Sequence, residues 1–328
     1  MAIQTKSMPK KQNRLIAAFF RRDVEGKYHM SDGFFGFLLT VPAILVLLTV
    51  IAAPILKGIY MSFMKYGLRE VSGKTAPVWN NFKNYTELFR SGGINGNVVD
   101  YFLTTLNFVF WAVLVQFVIG LALALLLNTK LRGRGVFRGL FLVPWTIPSV
   151  VVALLWRLML NNSYGIINWI LNKLGFIPTT AFDWLNSPNL ALPAVVIAAV
   201  WRQLPYMMVM LLAGLQSVDK SQLEAARIDG ATFMQTLRHV TLPTIRPVVL
   251  SSVWIAIMNN FQMYTIINLM TGGGPSEATY TLSIAAYEKA FTDYNFGQGA
   301  AIGVMWLVFL TIVTVIINKI SAKSAENL

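Results

Sequence analysis

The 328 residues are 55% hydrophobic and only 12% charged, against about 25% charge in a soluble globular domain, so an ordinary soluble fold is excluded and lipid is the expected solvent. The formal net charge of +13 would suit a nucleic-acid binder, yet the Lys and Arg residues sit in short segments between apolar runs, which is the signature of membrane topology. With no cysteine and only His29 and His239, disulfides, thiolate chemistry and iron–sulfur clusters are excluded, and no metal site is expected.

Residues 1–33 read as a basic cytoplasmic tail. Within it, Arg14 to Arg22 mixes Leu15, Ile16, Phe19 and Phe20 with arginines, a composition suited to an interfacial helix on anionic lipid or to a solvated tail. No short apolar segment with a small-residue cleavage site precedes the first long run, so a cleaved signal peptide is not expected.

A helix needs about 20 mostly apolar residues to cross the hydrocarbon core. Six stretches qualify, at 34–56, 103–127, 137–160, 190–214, 248–270 and 299–320, and the chain is therefore predicted to be an all-α integral membrane protein of about six transmembrane helices. Residues 34–320 form the membrane domain and 321–328 a short C-terminal tail. Pro42, Pro54, Pro144, Pro148 and Pro205 fall in or near these spans, where kinks rather than breaks are expected. The outer segment from Met64 to Tyr101, rich in Gly, Asn and aromatics, reads as a compact external loop. With the N-terminus inside, seventeen Lys and Arg residues fall on the cytoplasmic side and eight on the other. That bias places both termini in the cytoplasm.

In the fourth span, Arg202 is costly at mid-membrane, roughly 2.5 to 3.5 kcal/mol on insertion scales, and needs a partner, water or cargo; it lines a translocation cavity or bonds carbonyls freed by Pro205. Arg157, nearer a helix end, is expected to snorkel. In the fifth span Asn260, Tyr264 and Asn268 are spaced by four and so share one helical face, with Asn259 and Gln262 nearby. Amides and a phenol suit sugar hydroxyls, which donate and accept, although hydrogen bonding between helices competes as an explanation.

Between the fourth and fifth spans, the interior loop 215–247 carries the most information. Asp219 or Ser221 can cap a short helix, Ala225 and Ala226 favour it, and Gly230 supplies the turn that ends it. Phe233, Leu237 and Val240 then keep helical spacing until Pro243 and Pro247 redirect the chain. A small helix bearing Glu224 and Asp229 thus projects from the membrane, suited to docking in a groove of another protein.

The pattern Glu224-Ala225-Ala226, three residues, Gly230, nine residues, then Val240-Thr241-Leu242-Pro243 resembles the signature loop of ABC importer permeases, with valine where isoleucine is more usual. Asn80-Asn81-Phe82-Lys83-Asn84-Tyr85, Leu142 to Pro148 with Trp156, Trp201-Arg202-Gln203-Leu204-Pro205, Leu212 to Gln216 and Leu269 to Pro275 are similar to segments of the maltose and glycerol-phosphate type sugar permeases, in the same order. Phe296-Gly297-Gln298-Gly299 departs from the family by lacking its usual Gly-Tyr pair, and Tyr206 stands where phenylalanine is frequent.

This resemblance implies a type I ABC importer bundle with a cytoplasmic coupling helix, in which Glu224, Ala225, Ala226, Asp229, Gly230, Ala231, Leu242 and Pro243 engage a separate ATPase. It implies a multi-pass protein of the bacterial inner membrane. The expected partners are a second, different permease chain, an ATPase dimer that binds ATP and Mg, an extracytoplasmic sugar-binding protein, a carbohydrate and membrane lipid, with no nucleic acid. The chain itself would bind no cofactor and catalyse nothing. Arg202, Asn259, Asn260, Gln262, Tyr264 and Asn268 are the candidate residues of the substrate path. A membrane-embedded enzyme would need clustered acids, histidines or an activated nucleophile within the spans, and a secondary carrier or channel would normally show intramembrane carboxylates or inverted repeats; none of these is visible.

Overall fold

The computed structural model describes residues 20–22, 28–90, 97–129, 132–176 and 182–326, and the chain divides into two units, residues 1–60 and 61–328. In the first unit a short hairpin pairs β1 (Phe20–Arg22) with β2 (Tyr28–Met30) antiparallel, Phe20 opposite Met30. Most of the expected interfacial helix, residues 14–19, lies outside the described residues; its end, 20–22, is strand rather than helix. The long helix α1 (Asp32–Ser62) follows, capped by Ser31, whose hydroxyl accepts from the Phe34 N–H at 3.3 Å. Its six residues Leu47–Ala52 are wound as a π-turn, with the Ala53 N–H bonded to the Leu48 carbonyl, five residues back. This widened turn ends two residues before Pro54, whose ring crowds the preceding carbonyls and offers no N–H, and the helix runs through.

The second unit opens with a cap: β3 (Met64–Lys65), α2 (Leu68–Val71), β4 (Val78–Trp79) and α3 (Lys83–Arg90). Strands β3 and β4 pair antiparallel, and the Phe63 ring stacks on Trp79 with centroids 5.4 Å apart. Asn84 ties the cap together, its side-chain amide donating to the Ser62 carbonyl at 2.8 Å and the Met64 carbonyl at 2.9 Å, while the Tyr85 hydroxyl donates to the Ser62 Oγ at 2.7 Å. Within the Asn80–Tyr85 motif, Asn84 and Tyr85 thus serve as scaffolding. Gly297 passes so close that a Cβ there would sit 2.7 Å from the Met64 carbonyl oxygen and 2.8 Å from the Asn84 amide nitrogen, which is why glycine stands at that position. Asn84→Ala leaves both carbonyls without this donor, at about 1 to 3 kcal/mol for each that stays buried and unpaired; the expected result is a lower Tm of the purified protein, read by thermal unfolding.

Helix α4 (Val98–Asn128) starts at an Asn97 capping box with Asp100 and buries Thr105, Phe108, Val109, Ala112, Gln116, Gly120, Ala124 and Leu127, a stripe at three- and four-residue spacing. Next come α5 (Arg134–Thr146), α6 (Ser149–Met159), α7 (Ile166–Lys173) and α8 (Pro188–Gln216). Helix α8 is the centre of the unit: it packs most extensively on α4, with Ala191, Ala194, Ala198, Ala199, Met207, Met208 and Leu211 wholly enclosed. Small residues let the two backbones approach. At 29 residues it is about 43 Å long at 1.5 Å per residue, enough to cross a bilayer.

The remaining elements are α9 (Lys220–Ile228), α10 (Phe233–Thr244), α11 (Arg246–Phe261), α12 (Thr265–Met270), α13 (282–292) and α14 (Phe296–Glu326). Among the described residues α1, α4, α8 and α14 are individually long and apolar enough to cross a membrane, and six spans result if two bent pairs each count as one. The pairs are α5 with α6, bent by 95°, and α10 with α11, bent by 75°. The first bend corrects the expectation of kinks alone: Ile147 and Pro148 are extended, with ψ of 132° and 139°, because the residue before a proline is driven out of the helical region. Pro42, Pro144 and Pro205 stay inside helices. The region 248–270 is likewise not one helix, since α11 ends at Phe261 and α12 begins at Thr265.

Candidate functional site

Two places concentrate chemistry, at different levels along α8. The first is the loop that follows its C-terminus, residues 217–232. Asp219, rather than Ser221, caps α9, its carboxylate accepting from the Ser221 N–H at 2.9 Å. These hydrogen bonds hold the Asp219 carboxyl below the usual carboxylate range, so the charged cap is in place above that range and is lost as the pH falls through the lowered value. Leu223 and Ala226 face inward, whereas Glu224, Ala225 and Asp229 are exposed.

The helix ends in a Schellman turn, the Ala231 N–H bonded to the Ala226 carbonyl at 2.9 Å and the Gly230 N–H to the Arg227 carbonyl at 3.1 Å. Gly230 has φ of +76° with nothing within 4 Å of the place a Cβ would take. Thr232 and Gln235 then form a capping box that starts α10. Around the turn Ile228, Phe233 and Met234 are 86%, 69% and 64% exposed. Sequence reasoning took Phe233 as part of a helical repeat and missed that, with Ile228, it flanks the glycine as an apolar patch; two large apolar side chains within three residues of a turn glycine were the available signal. Leu242 and Pro243 stand apart from the turn, at the elbow between α10 and α11, with Leu242 packed against the core.

The second place is a cavity of about 310 Å³ at the break between α11 and α12. Arg202 and Gln203 from α8, Asn259 from α11, Gln262 and Tyr264 from the break, and Trp145 and Ser149 from the α5–α6 bend line it. Among the described residues no Asp or Glu lines it. Arg202 forms no hydrogen bond to a described residue and its Nε is buried without a partner; the alternative that it ties down carbonyls freed by Pro205 is not what the structure contains. Asn259 and Gln262 also keep their amides unspent among the described residues, and the Tyr264 ring lies 4.7 Å from that of Tyr287.

The shared face predicted for Asn260, Tyr264 and Asn268 does not form, because the helix unwinds over 262–264. Asn260 turns into the core, 1% exposed, where its amide and that of Gln116 exchange two hydrogen bonds at 3.3 Å and it also donates to the Ala256 carbonyl at 2.8 Å. It is a strut between α4 and α11. Gln116 was overlooked, although an amide within an apolar run is the same signal that singled out Asn260. Asn268 faces a different cavity, of about 350 Å³, with Arg157, Asn186 and Gly272. Arg157 does not simply snorkel: its guanidinium donates to the Leu269 carbonyl at 3.3 Å.

A bundle of membrane-length helices enclosing a polar-lined cavity is the architecture of a polytopic membrane protein. Residues 116–326 match the family described as the binding-protein-dependent transport system inner membrane component, and the chain belongs to it. It is 33% identical to the trehalose/maltose transport system permease protein MalF of Thermococcus litoralis over 91% of this chain and 97% of that one. It is 31% identical to the sulfoquinovosyl glycerol transport system permease protein SmoG of Agrobacterium fabrum, over 89% and 91%. Among solved structures, a chain of the bacterial ABC transporter involved in import of the acidic polysaccharide alginate shares the fold, with a TM-score of 0.71 at 21% identity, over 88% of this chain and 96% of that one.

Proposed function

We propose that this chain forms the path by which an ATP-driven importer moves a carbohydrate, received from an extracytoplasmic binding protein, into the cytoplasm. The observation that carries the cargo class is the cavity lining: Asn259, Gln262 and Arg202 present unspent donors and acceptors beside the Tyr264 and Trp145 rings, the complement of a polyhydroxylated solute. The names of the relatives, which are transport systems for trehalose and maltose, sulfoquinovosyl glycerol and arabino-oligosaccharides, support the same class.

The exposed turn around Gly230 docks on a separate ATPase dimer that holds ATP and Mg. Glu224, Ala225, Ala226, Asp229 and Ala231 shape the docking helix, and Leu242 and Pro243 set the elbow that transmits its displacement to α11. The chain hydrolyses nothing, pairs with a second, different permease, and has both termini in the cytoplasm. ATP binding shifts the bundle between inward- and outward-open states to the extent that the docking contact differs in free energy between them.

Reconstitution in proteoliposomes with the ATPase, the second permease and the binding protein tests this reading. Saccharide-stimulated ATP hydrolysis with uptake is the expected result. Uptake by this chain alone, driven by an ion gradient and indifferent to ATP, would replace it with a secondary carrier.

A further inference from the structure

The six-residue helix α12 borders both cavities: Tyr264 at its cap and Thr265 face the central one, and Asn268 and Leu269 face the second. Tyr264 and Asn268 are four residues apart, about 6 Å along a helix axis, and Ser149 and Arg157, which line the two cavities from α6, are eight apart, about 12 Å. The second cavity lies near the start of α8, with Asn186 two residues before the helix, at the end away from the Gly230 turn. At about 350 Å³ it falls within the usual range for a small-molecule pocket, about 300 to 1,000 Å³.

Its polar groups are unspent in a complementary way. Arg157 uses one N–H on the Leu269 carbonyl and keeps the rest of its fork. Asn186 commits its NH₂ to Asp183 at 2.9 and 3.1 Å, which fixes the amide and leaves its carbonyl oxygen as an acceptor. The Asn268 amide is bonded to no described residue. Donors and acceptors thus converge on one pocket, and a hydroxyl, which needs both, is the group that satisfies them.

We propose that Arg157, Asn186 and Asn268 form a second saccharide subsite, continuous with the central cavity, so that the cargo is an oligosaccharide whose leading unit sits by Tyr264 and whose trailing unit sits by Asn268. This rests on the carbohydrate reading above. The central cavity alone serves the shortest cargo; the outer subsite contributes only when the chain is long enough to reach it.

The test is initial uptake by the full reconstituted transporter of saccharides of one to five units, built from neutral hexose, neutral pentose or uronate. For the longest member that the wild type accepts, Asn268→Ala is expected to slow uptake about three- to tenfold, the loss of one hydrogen bond. The shortest member should enter at the wild-type rate, which also certifies that the variant folds, and Asn268→Gln should recover part of the loss. An equal effect on all lengths, no effect on any, or a wild type that takes only monosaccharides would overturn the subsite while leaving the carbohydrate reading intact. A wild type that moves no saccharide overturns both.

Discussion

Gly230→Asp is expected to abolish ATP-driven uptake almost completely while the protein still inserts and accumulates in the membrane at its normal level. The reason is local. At φ of +76° an L-residue pays about 1 to 2 kcal/mol, so the Schellman turn that ends α9 opens, and a carboxylate is added between the exposed Ile228 and Phe233. Nothing crowds the position from within the chain, so the bundle itself has no cause to unfold. Uptake measured beside the amount of membrane-inserted protein and the ATPase activity of the complex separates the effects: normal uptake by the variant would remove the turn from the docking site.

The second large effect is on the scaffold. Gly120 lies where α4 crosses α8, and a Cβ built there comes within 2.8 Å of the Met207 Cγ, 3.2 Å of the Met207 Cβ and 3.4 Å of the Met208 backbone nitrogen. Met207 and Met208 are wholly enclosed, so the helices must separate. Gly120→Leu is expected to destabilise the bundle by about 1 to 3 kcal/mol, the usual penalty of overpacking, or more, since two backbones rather than one rotamer must move. Thermal unfolding in detergent should register it as a Tm drop exceeding that of Gly303→Leu, a control in α14 with nothing within 4 Å.

Much of this architecture was legible in the residues because hydrophobic length is a direct physical requirement of the bilayer. The apolar runs at 103–127, 190–214 and 299–320 all became continuous helices. What the runs concealed were interruptions. Pro148 breaks its span because Ile147 beside it is forced into extended backbone, whereas Pro205 sits inside α8, whose flanks are packed on both sides; tertiary packing decides between these outcomes and is invisible in the dipeptide. The unwinding at 262–264 has no proline or glycine to announce it.

The same holds for the site. The turn at Gly230 was readable because capping residues, alanines and a glycine each have a local conformational meaning. Among the path residues, Arg202, Asn259, Gln262 and Tyr264 do converge on one cavity, but Asn260 went to the core and Asn268 to a second pocket. Helical spacing assigns faces only while the helix continues, and here it stops three residues too early.

That interruption has a mechanical meaning. One side of it is riveted to α4 through the Asn260–Gln116 amides, and the other lies against α6. When the two flanking helices slide past each other in the proposed cycle, the slack is taken up at Gln262, Met263 and Tyr264, all three of which line the central cavity. Hinge and cavity wall are one object, so a change of shape there reshapes the cavity as well.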